Sequence, residues 1–387
     1  MLKLSTLIVG GGIGGLSLAR ELSLRGLPVA VLERAPQLNP VGAGIIMNPN
    51  AMAVLERNGL AGAVRANASP YLLRETCDQR GTLLAIRDYR PLYDAKKLAT
   101  GALVHRAHLL QTLYDALPRG VVRFGVQVAE IDLGPDLVTV RTERDGTFEA
   151  QLLVGADGIH SEVRRRAFGN AEPLYMGYRS HRLLVENAPG IRNFIEFLGQ
   201  GQRAGLVPIG EGLLYVWTTF NSPRDAGPEL RTAADLRELF RRFTDDRVKR
   251  ALSQVRAADE IITTAIEELR LAQWVSGRAA LLGDAAHAMT PNIGQGAGMA
   301  MEDAAVLAAE LEAAQRGAQA LEQALANYEK RRRPRVDAVM RISREVGEEG
   351  QLESPLGCWL RNRRLRRAGR NIAKLQADLE RLLTFSA

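Results

Sequence analysis

The chain has 387 residues, 46% hydrophobic and 25% charged, with a formal net charge of +7. That apolar share is too high for a disordered chain, and no uncharged stretch approaches the ~18 residues that span a bilayer, so no integral membrane segment is expected. Two cysteines in dissimilar contexts, Cys77 and Cys358, exclude a disulfide framework and a zinc site, so no metal is expected and the reducing cytoplasm is the expected compartment.

In chain order, residues 4–9 form a short apolar run with β-branched Thr6, Ile8 and Val9, which predicts a strand. It ends in Gly10-Gly11-Gly12-Ile13-Gly14-Gly15, after which a helix is predicted over about 16–25, closed by Gly26. Residues 28–32 predict a second strand ending at Glu33. A β-turn-α-β unit this compact implies a parallel sheet. A helix is predicted over 50–66 with Gly59 as a break, then short antiparallel strands over 71–98. A helix over 108–117 and strands over 121–128 and 137–142 are expected to return to the first sheet. A second block over 176–271 predicts antiparallel strands at 194–197 and on either side of Gly210-Glu211-Gly212, and a helix at 232–243. Residues 279–282 predict a buried strand, and a long alanine-rich helix begins near Gly298. The expected division is therefore one discontinuous domain (1–75, 100–175 and 272–345), an inserted domain (76–99 and 176–271) and a C-terminal helical segment (346–387).

Gly10, Gly12 and Gly15 form a G-x-G-x-x-G pattern. The first makes the tight turn, the second lets backbone approach a pyrophosphate, and the third allows close helix–strand packing. Glu33 stands where an acid can accept hydrogen bonds from ribose hydroxyls. Strand, turn, helix, strand and acid in this order point to dinucleotide binding, without distinguishing NAD from FAD. Two further stretches carry that distinction. Val154-Gly155-Ala156-Asp157-Gly158-Ile159-His160-Ser161 runs from an apolar strand into a helix that Ser161 can cap. Leu282-Gly283-Asp284-Ala285-Ala286-His287 is followed by Pro291 and Gly294-Gln295-Gly296-Ala297-Gly298.

Together these residues resemble the class A flavin monooxygenases, the aromatic hydroxylases related to 4-hydroxybenzoate hydroxylase, whose three motifs occur in this order. The resemblance implies an α/β fold: a Rossmann-like FAD-binding domain of the GR2 type, an inserted mixed or antiparallel β-sheet substrate domain, and a helical C-terminus. It implies an enzyme that inserts one oxygen from O2 into a small aromatic or heteroaromatic substrate through a flavin C4a-hydroperoxide, with FAD as cofactor and NADPH or NADH as transient reductant. Epoxidation, or a non-hydroxylating reductase or halogenase of the same fold, are the alternatives. The halogenase W-x-W-x-I-P signature is absent, since Trp217 is followed by Thr218-Thr219.

Carried over by residue, the resemblance assigns Gly10, Gly12, Ile13, Gly14, Gly15, Glu33, Arg34, Gly44, Ile45, Arg106, Val128, Asp157, Gly283, Asp284, Gly296 and Ala297 to the cofactor. Pro291, Gly294, Gln295 and Gly296 would lie beside the isoalloxazine ring and carry catalysis. A helix beginning there can direct its positive end at a reduced, anionic flavin. Met47, His181, Arg203, Tyr215 and Pro291 are the substrate candidates; Arg203 with Tyr215 resembles a pair in a urate hydroxylase of the family, and a surface arginine with a packed tyrosine is the alternative. His160 and His287 are read as structural. No nucleic-acid partner is expected, and the chain is taken as a monomer or homodimer. Six of the arginines fall within residues 361–370 with no acid among them, so the basic excess is mostly a property of the tail. Its apolar residues, from Trp359 and Leu360 to Ile372, Leu375 and Leu379, predict one or two amphipathic helices. These either pack over the FAD domain with their arginines solvated or make a weak surface contact with anionic lipid.

Overall fold

A computed structural model of the chain describes residues 5–38, 43–225, 230–368, 380 and 382–385. The strand Thr6–Val9 is buried throughout and pairs in parallel with Val29–Glu33 on one side and Leu152–Gly155 on the other. Such two-sided burial is what an uninterrupted apolar run requires. Val122–Phe124 and Ala279–Leu281 extend the sheet in parallel, and Val275–Ser276 closes one edge antiparallel. The first helix, Ile13–Leu24, begins directly after Gly12, three residues earlier than its apolar pattern suggests. The helix predicted over 50–66 is two, Pro49–Arg57 and Ala61–Ala66, and Gly59 between them has φ +73°.

Only Val122–Phe124 of the strands expected to rejoin this sheet does so. Val128–Leu133, Val138–Thr142 and Thr147–Ala150 form a separate three-stranded antiparallel sheet. They alternate in burial, as strands with one wet face do, and so could not serve a doubly covered parallel sheet.

The substrate-side sheet has seven strands, in the order Ile262–Glu268, Leu174–Glu186, Leu213–Asn221, Gln202–Pro208, Phe194–Leu198, Leu73–Asp78 and Leu83–Asp88. All neighbours are antiparallel except Phe194–Leu198 with Leu73–Asp78. The helices Ala233–Leu239 and Asp246–Ser253 cover one face, burying Leu236, Phe240, Phe243 and Val248 against Phe197, Leu206 and Val216. The first of them starts with a capping box between Thr232 and Asp235. The other face looks toward the nucleotide-binding sheet.

Two long helices tie the halves together. Gly296–Gln315 packs on Ile13–Leu24, and Leu321–Gly350 packs on Gly296–Gln315. The second runs 30 residues through Pro334 and past the expected boundary at residue 345. Its last turns reach the substrate sheet, where Gln351 accepts from Arg203. The helix Pro355–Ala368 lies against Leu83–Asp88 of the substrate sheet, not over the FAD domain; it turns Cys358 and Arg361 inward and Leu356, Trp359 and Leu360 outward. The short piece Leu382–Phe385 does return to the nucleotide-binding side, with the Phe385 ring beneath the Arg57 and Arg332 guanidinium groups. Ile372, Leu375 and Leu379, the basis for a second tail helix, lie outside the described residues. Among the described residues no helix is long and apolar enough to cross a membrane.

Candidate active site

A cavity of about 950 Å³ lies between the two large sheets. Its volume is near the top of the roughly 300–1,000 Å³ range of small-molecule sites. At one end the wall is the first βαβ unit. Gly10 has φ +108°, and a Cβ there would stand 2.4 Å from the Ala156 carbonyl oxygen. Gly12 is the opposite case: a Cβ would meet nothing within 4 Å, so its backbone faces open cavity. Gly12 also caps the helix Ile13–Leu24 with no side-chain partner, which leaves the first N–H groups for a ligand. Glu33 is pinned at both oxygens, Oε2 accepting from the Gly11 N–H at 2.6 Å and Oε1 from the Ala35 N–H at 2.8 Å. Ile13, Gly14 and Arg34 also line this end. Gly15 does not; its Cβ would fall 2.0 Å from the Gly10 carbonyl oxygen, so it is a packing position.

Farther in, Asp157, Asp284, Arg106, Val128, Gly283, Gly44 and Ile45 reach the cavity. The Asp157 carboxylate accepts from the Ser161 hydroxyl (2.5 Å) and the Glu162 N–H (2.7 Å), while Ser161 Oγ caps the following helix through the Arg164 N–H (2.9 Å). Burial still raises the Asp157 pKa against these bonds. Asp284 points into the cavity, and burial raises its pKa against the pull of His287, Arg106 and Arg182. Burial, then the like charge of Arg182, lowers the Arg106 pKa. Arg182, absent from the expected site, also lines the cavity, and its charge acts on Arg106, Asp284 and Tyr215.

The turn Pro291–Ile293 and the start of Gly296–Gln315 supply Pro291, Gly294, Gly296 and Ala297 to the wall. Gly294 has φ +64°, and its carbonyl accepts from Asn48 Nδ2 at 2.9 Å, locking the turn to the segment after Gly44–Met47. Asn292 lies within the stretch 291–297 that the resemblance sets beside the ring, but the sequence assigns it no role of its own. Its amide donates to the Ser343 carbonyl (2.8 Å) and the Tyr178 hydroxyl (3.0 Å), and Oδ1 accepts from Arg203 Nη2 (2.6 Å). The turn is therefore braced by the long helix and by the substrate sheet at once.

At the far end the wall is the substrate sheet: Arg74, Phe194, Arg203, Tyr215, Trp217 and Thr219. Trp217 lies across Gly205, where a Cβ would come within 2.0 Å of the indole, and Tyr215 lies across Gly44 in the same way, at 2.5 Å. Arg203 is buried and bonded to Gln351, Thr219, Glu196 and Asn292.

Besides Gly15, three expected site residues stand elsewhere. His181 is fully buried on the opposite face, stacked on Phe220 (4.8 Å) and bonded to Thr218 (3.2 Å). Side chains alternate along a strand, so its neighbours Ser180 and Arg182 take the cavity face. Met47 sits in the core beneath the helices Pro49–Arg57 and Ala61–Ala66. Gln295 is buried and pairs with Asn50 (2.9 Å) instead of lining the cavity.

Behind the third motif lies an ionic cluster that no local pattern announces. Asp303 accepts from His287 Nε2 (2.6 Å), Arg332 Nε (2.7 Å) and the Gly283 N–H (3.0 Å). Glu302 beside it accepts from Arg332 (2.6 Å), Arg335 (2.6 Å) and Asn50 (2.7 Å). Burial pushes the Asp303 carboxyl up, but His287 and Arg332 outweigh it and bring the pKa to about 2. Its signal in the sequence was only the run Arg331-Arg332-Arg333, which reads as a solvated charge run.

These residues suit FAD: an uncapped helix end and an open glycine for a diphosphate, a fixed carboxylate for a ribose, and a cavity that continues to a second, aromatic wall. A family model described as "FAD binding domain" matches residues 3–343. The chain belongs to the class A FAD-dependent aromatic hydroxylases. It is 36% identical to the aurachin C monooxygenase/isomerase of Stigmatella aurantiaca, with 94% of each chain covered. It is 32% identical to the 2-heptyl-3-hydroxy-4(1H)-quinolone synthase of Pseudomonas aeruginosa, with 93% of each covered. Klebsiella pneumoniae HpxO, solved with FAD and uric acid, superposes with a TM-score of 0.87 at 28% identity, covering 97% of this chain and 96% of that one. This FAD-dependent monooxygenase therefore has the α/β flavoprotein architecture that its three motifs imply.

Proposed function

We propose that the enzyme uses NADPH or NADH as reductant and hydroxylates a fused, electron-rich heteroaromatic ring held against Phe194, Tyr215 and Trp217. The observation that carries this reading is the continuity of the cavity from Gly12 and Glu33 to that aromatic wall, with the Pro291–Ile293 turn and Gly296 in between. The quinolone in the name of one relative and the uric acid bound to HpxO are fused heteroaromatic rings, which supports extending that class to this chain.

Bound FAD supplies the exchange of electrons with the nicotinamide and the activation of O2. The chain supplies placement. The helix start at Ile13 and the Gly12 backbone take the diphosphate, and Glu33 takes ribose hydroxyls. Asp284, with Arg106 near it, offers an acceptor within the cavity. The positive end of Gly296–Gln315 favours negative charge gathered beside it, and no acid stands in its first turn to oppose that. Phe194, Tyr215 and Trp217 exclude water and present flat faces to a flat ring. No histidine is required as a base for a ring hydroxyl acidic enough to give its proton to water, which arrives already ionised as the better nucleophile.

The test is a panel of fused heteroaromatics added to the purified holoenzyme, scored for stimulated oxidation of NADH and NADPH together with product mass. We expect at least one ring to raise coenzyme consumption several-fold and to gain one oxygen atom. Stimulated peroxide release with no oxygenated product across the panel would refute the reading.

A further inference from the structure

The substrate end of the cavity holds an unbalanced set of buried charges. Glu196, on Phe194–Leu198, accepts from Arg74 Nη2 at 2.5 Å and from Arg203 Nη1 at 3.4 Å, so two guanidinium groups share one carboxylate. Burial would raise the Glu196 pKa, but Arg74 and Arg203 outweigh it and keep the carboxylate charged. The two arginines differ in what remains to them. Arg203 donates to four protein acceptors, from Nε to Gln351 and Thr219, from Nη1 to Glu196 and from Nη2 to Asn292. Among the described residues Arg74 donates to Glu196 alone and its Nε and Nη1 have no protein acceptor, although the residue is only 8% exposed. Those nitrogens are not sealed inside protein, and Arg74 lines the cavity. Its guanidinium stacks on the Phe194 ring at 4.9 Å, and Phe194 meets Trp217 edge to face.

A guanidinium has five N–H donors in a planar fork suited to paired oxygens. Arg74 turns most of these donors toward the cavity, so their partners come from whatever fills it, and a bound ring can take the place of water there. A ligand group that does so must be an acceptor, and the surplus of cations over carboxylates favours a negative one.

We propose that Arg74 is a binding residue for an anionic oxygen of the substrate, so that the preferred ring carries a carboxylate or an ionised ring hydroxyl. This rests on the hydroxylation of a heteroaromatic ring proposed above and assigns the residue that reads its acidic oxygen. The strand parity supports the placement: Arg74 lines the cavity, while Cys77, on the opposite face of the same strand, points into the core beneath the covering helices. Arg203 then braces Asn292 and the Pro291–Ile293 turn, while Arg74 is left to read the ligand.

The test uses FAD-loaded wild type, Arg74→Gln and Arg74→Lys. Equilibrium binding is read from perturbation of the flavin absorbance with two matched pairs of probes. One pair is 4-hydroxy-2-quinolone and its 4-methoxy ether, for a ring oxyanion; the other is quinoline-4-carboxylate and its methyl ester. Wild type should bind the acidic member of at least one pair about 10- to 100-fold more tightly than its capped partner, as loss of a charge-assisted hydrogen bond implies. The glutamine variant should lose that difference while binding the capped probe as wild type does. The lysine variant, which keeps a charge for Glu196, should retain part of it and guards against a folding defect in the other. The pair that discriminates identifies the oxygen. Equal affinity within both pairs for wild type, or a preference that survives in Arg74→Gln, overturns the assignment and leaves Arg74 as a structural partner of Glu196. Binding constants separate this outcome from the functional reading, which fails only if bound rings yield no oxygenated product.

Discussion

The two ends of the cavity are built from different materials. The nucleotide end is made largely of backbone: Gly10 at φ +108°, Gly12 open to the cavity, a helix start without a side-chain cap, and one carboxylate held by two backbone N–H groups. The substrate end is made of side chains, namely Arg74, Arg203, Phe194, Tyr215 and Trp217, each placed by the register of a different strand or by a glycine opposite it. A diphosphate is the same in every relative, so a fixed backbone cradle suffices for it. A ring substrate varies, and side chains on a rigid sheet can be exchanged without moving the frame.

The largest expected effect tests whether the backbone end depends on charge behind it. Asp303→Asn keeps the size of the side chain but takes one carboxylate from Arg332 and puts an amide against donors already aimed at an acceptor. Breaking one partner of such a buried network costs about 3–5 kcal/mol, and chemical denaturation of the FAD-loaded protein should show that loss. The acid limb should change as well. The folded pKa of about 2 lies below the ~3.9 of an unfolded aspartate. The stabilisation from Asp303 is thus complete above about pH 4 and fades as the pH falls through about 2, and the variant should lack that component of the slope. An unchanged denaturation midpoint would mean that the nucleotide end stands on its backbone alone.

Next in size is a pair of glycines one turn apart. Gly15→Ala would drive a methyl to 2.0 Å from the Gly10 carbonyl oxygen, so strand and helix must separate, at about 3 kcal/mol. The protein should emerge poorly folded and nearly free of flavin. Gly12→Ala meets no protein atom, and the backbone there, at φ −79° and ψ −176°, suits alanine. It should fold to within about 0.5 kcal/mol of wild type and yet hold FAD at least about tenfold more weakly, because the methyl occupies ligand space. Flavin retention and thermal unfolding, measured side by side, separate the two. Equal FAD retention in Gly12→Ala and wild type would remove the diphosphate from that position.

This contrast also explains what could be read from the chain. A backbone cradle needs glycines at fixed spacing, and Gly10, Gly12, Gly15, Asp157 and Asp284 announce it within short windows of sequence. The parallel sheet followed from the same windows. A side-chain wall depends on which face each strand residue takes, and a shift of one position inverts it. Arg203 and Tyr215 have the right parity, whereas His181 stands one residue away from Ser180 and Arg182, which face the cavity. Arg74 had no local mark, since it precedes a stretch without motif and gains its meaning from Glu196, 122 positions later. The long helix Leu321–Gly350 was hidden for a related reason: Arg332 and Arg335 look like solvent-facing charge until Glu302 and Asp303 of the neighbouring helix are placed against them.

The smallest effect on ligand binding is expected where that parity goes against the sequence reading. His181 stacks on Phe220, makes an edge contact with Phe240, and leaves Nε2 without a partner. Burial, with a contribution from Arg179, lowers its pKa to about 4, against ~6.5 in an unfolded chain. Between those values the unfolded chain binds a proton that the folded one refuses, so the contribution is complete above about pH 6.5 and is lost as the pH falls toward 4. His181→Phe keeps an aromatic ring in the stack and removes the proton site. Relative to this variant, wild type should lose about 2 kcal/mol of stability between pH 7 and pH 5. The variant's KM for a ring substrate should stay within about twofold of wild type, because the side chain faces the covering helices. A larger rise in KM with FAD content intact would reverse the assigned faces of Leu174–Glu186, and Ser180 and Arg182 would then leave the cavity wall.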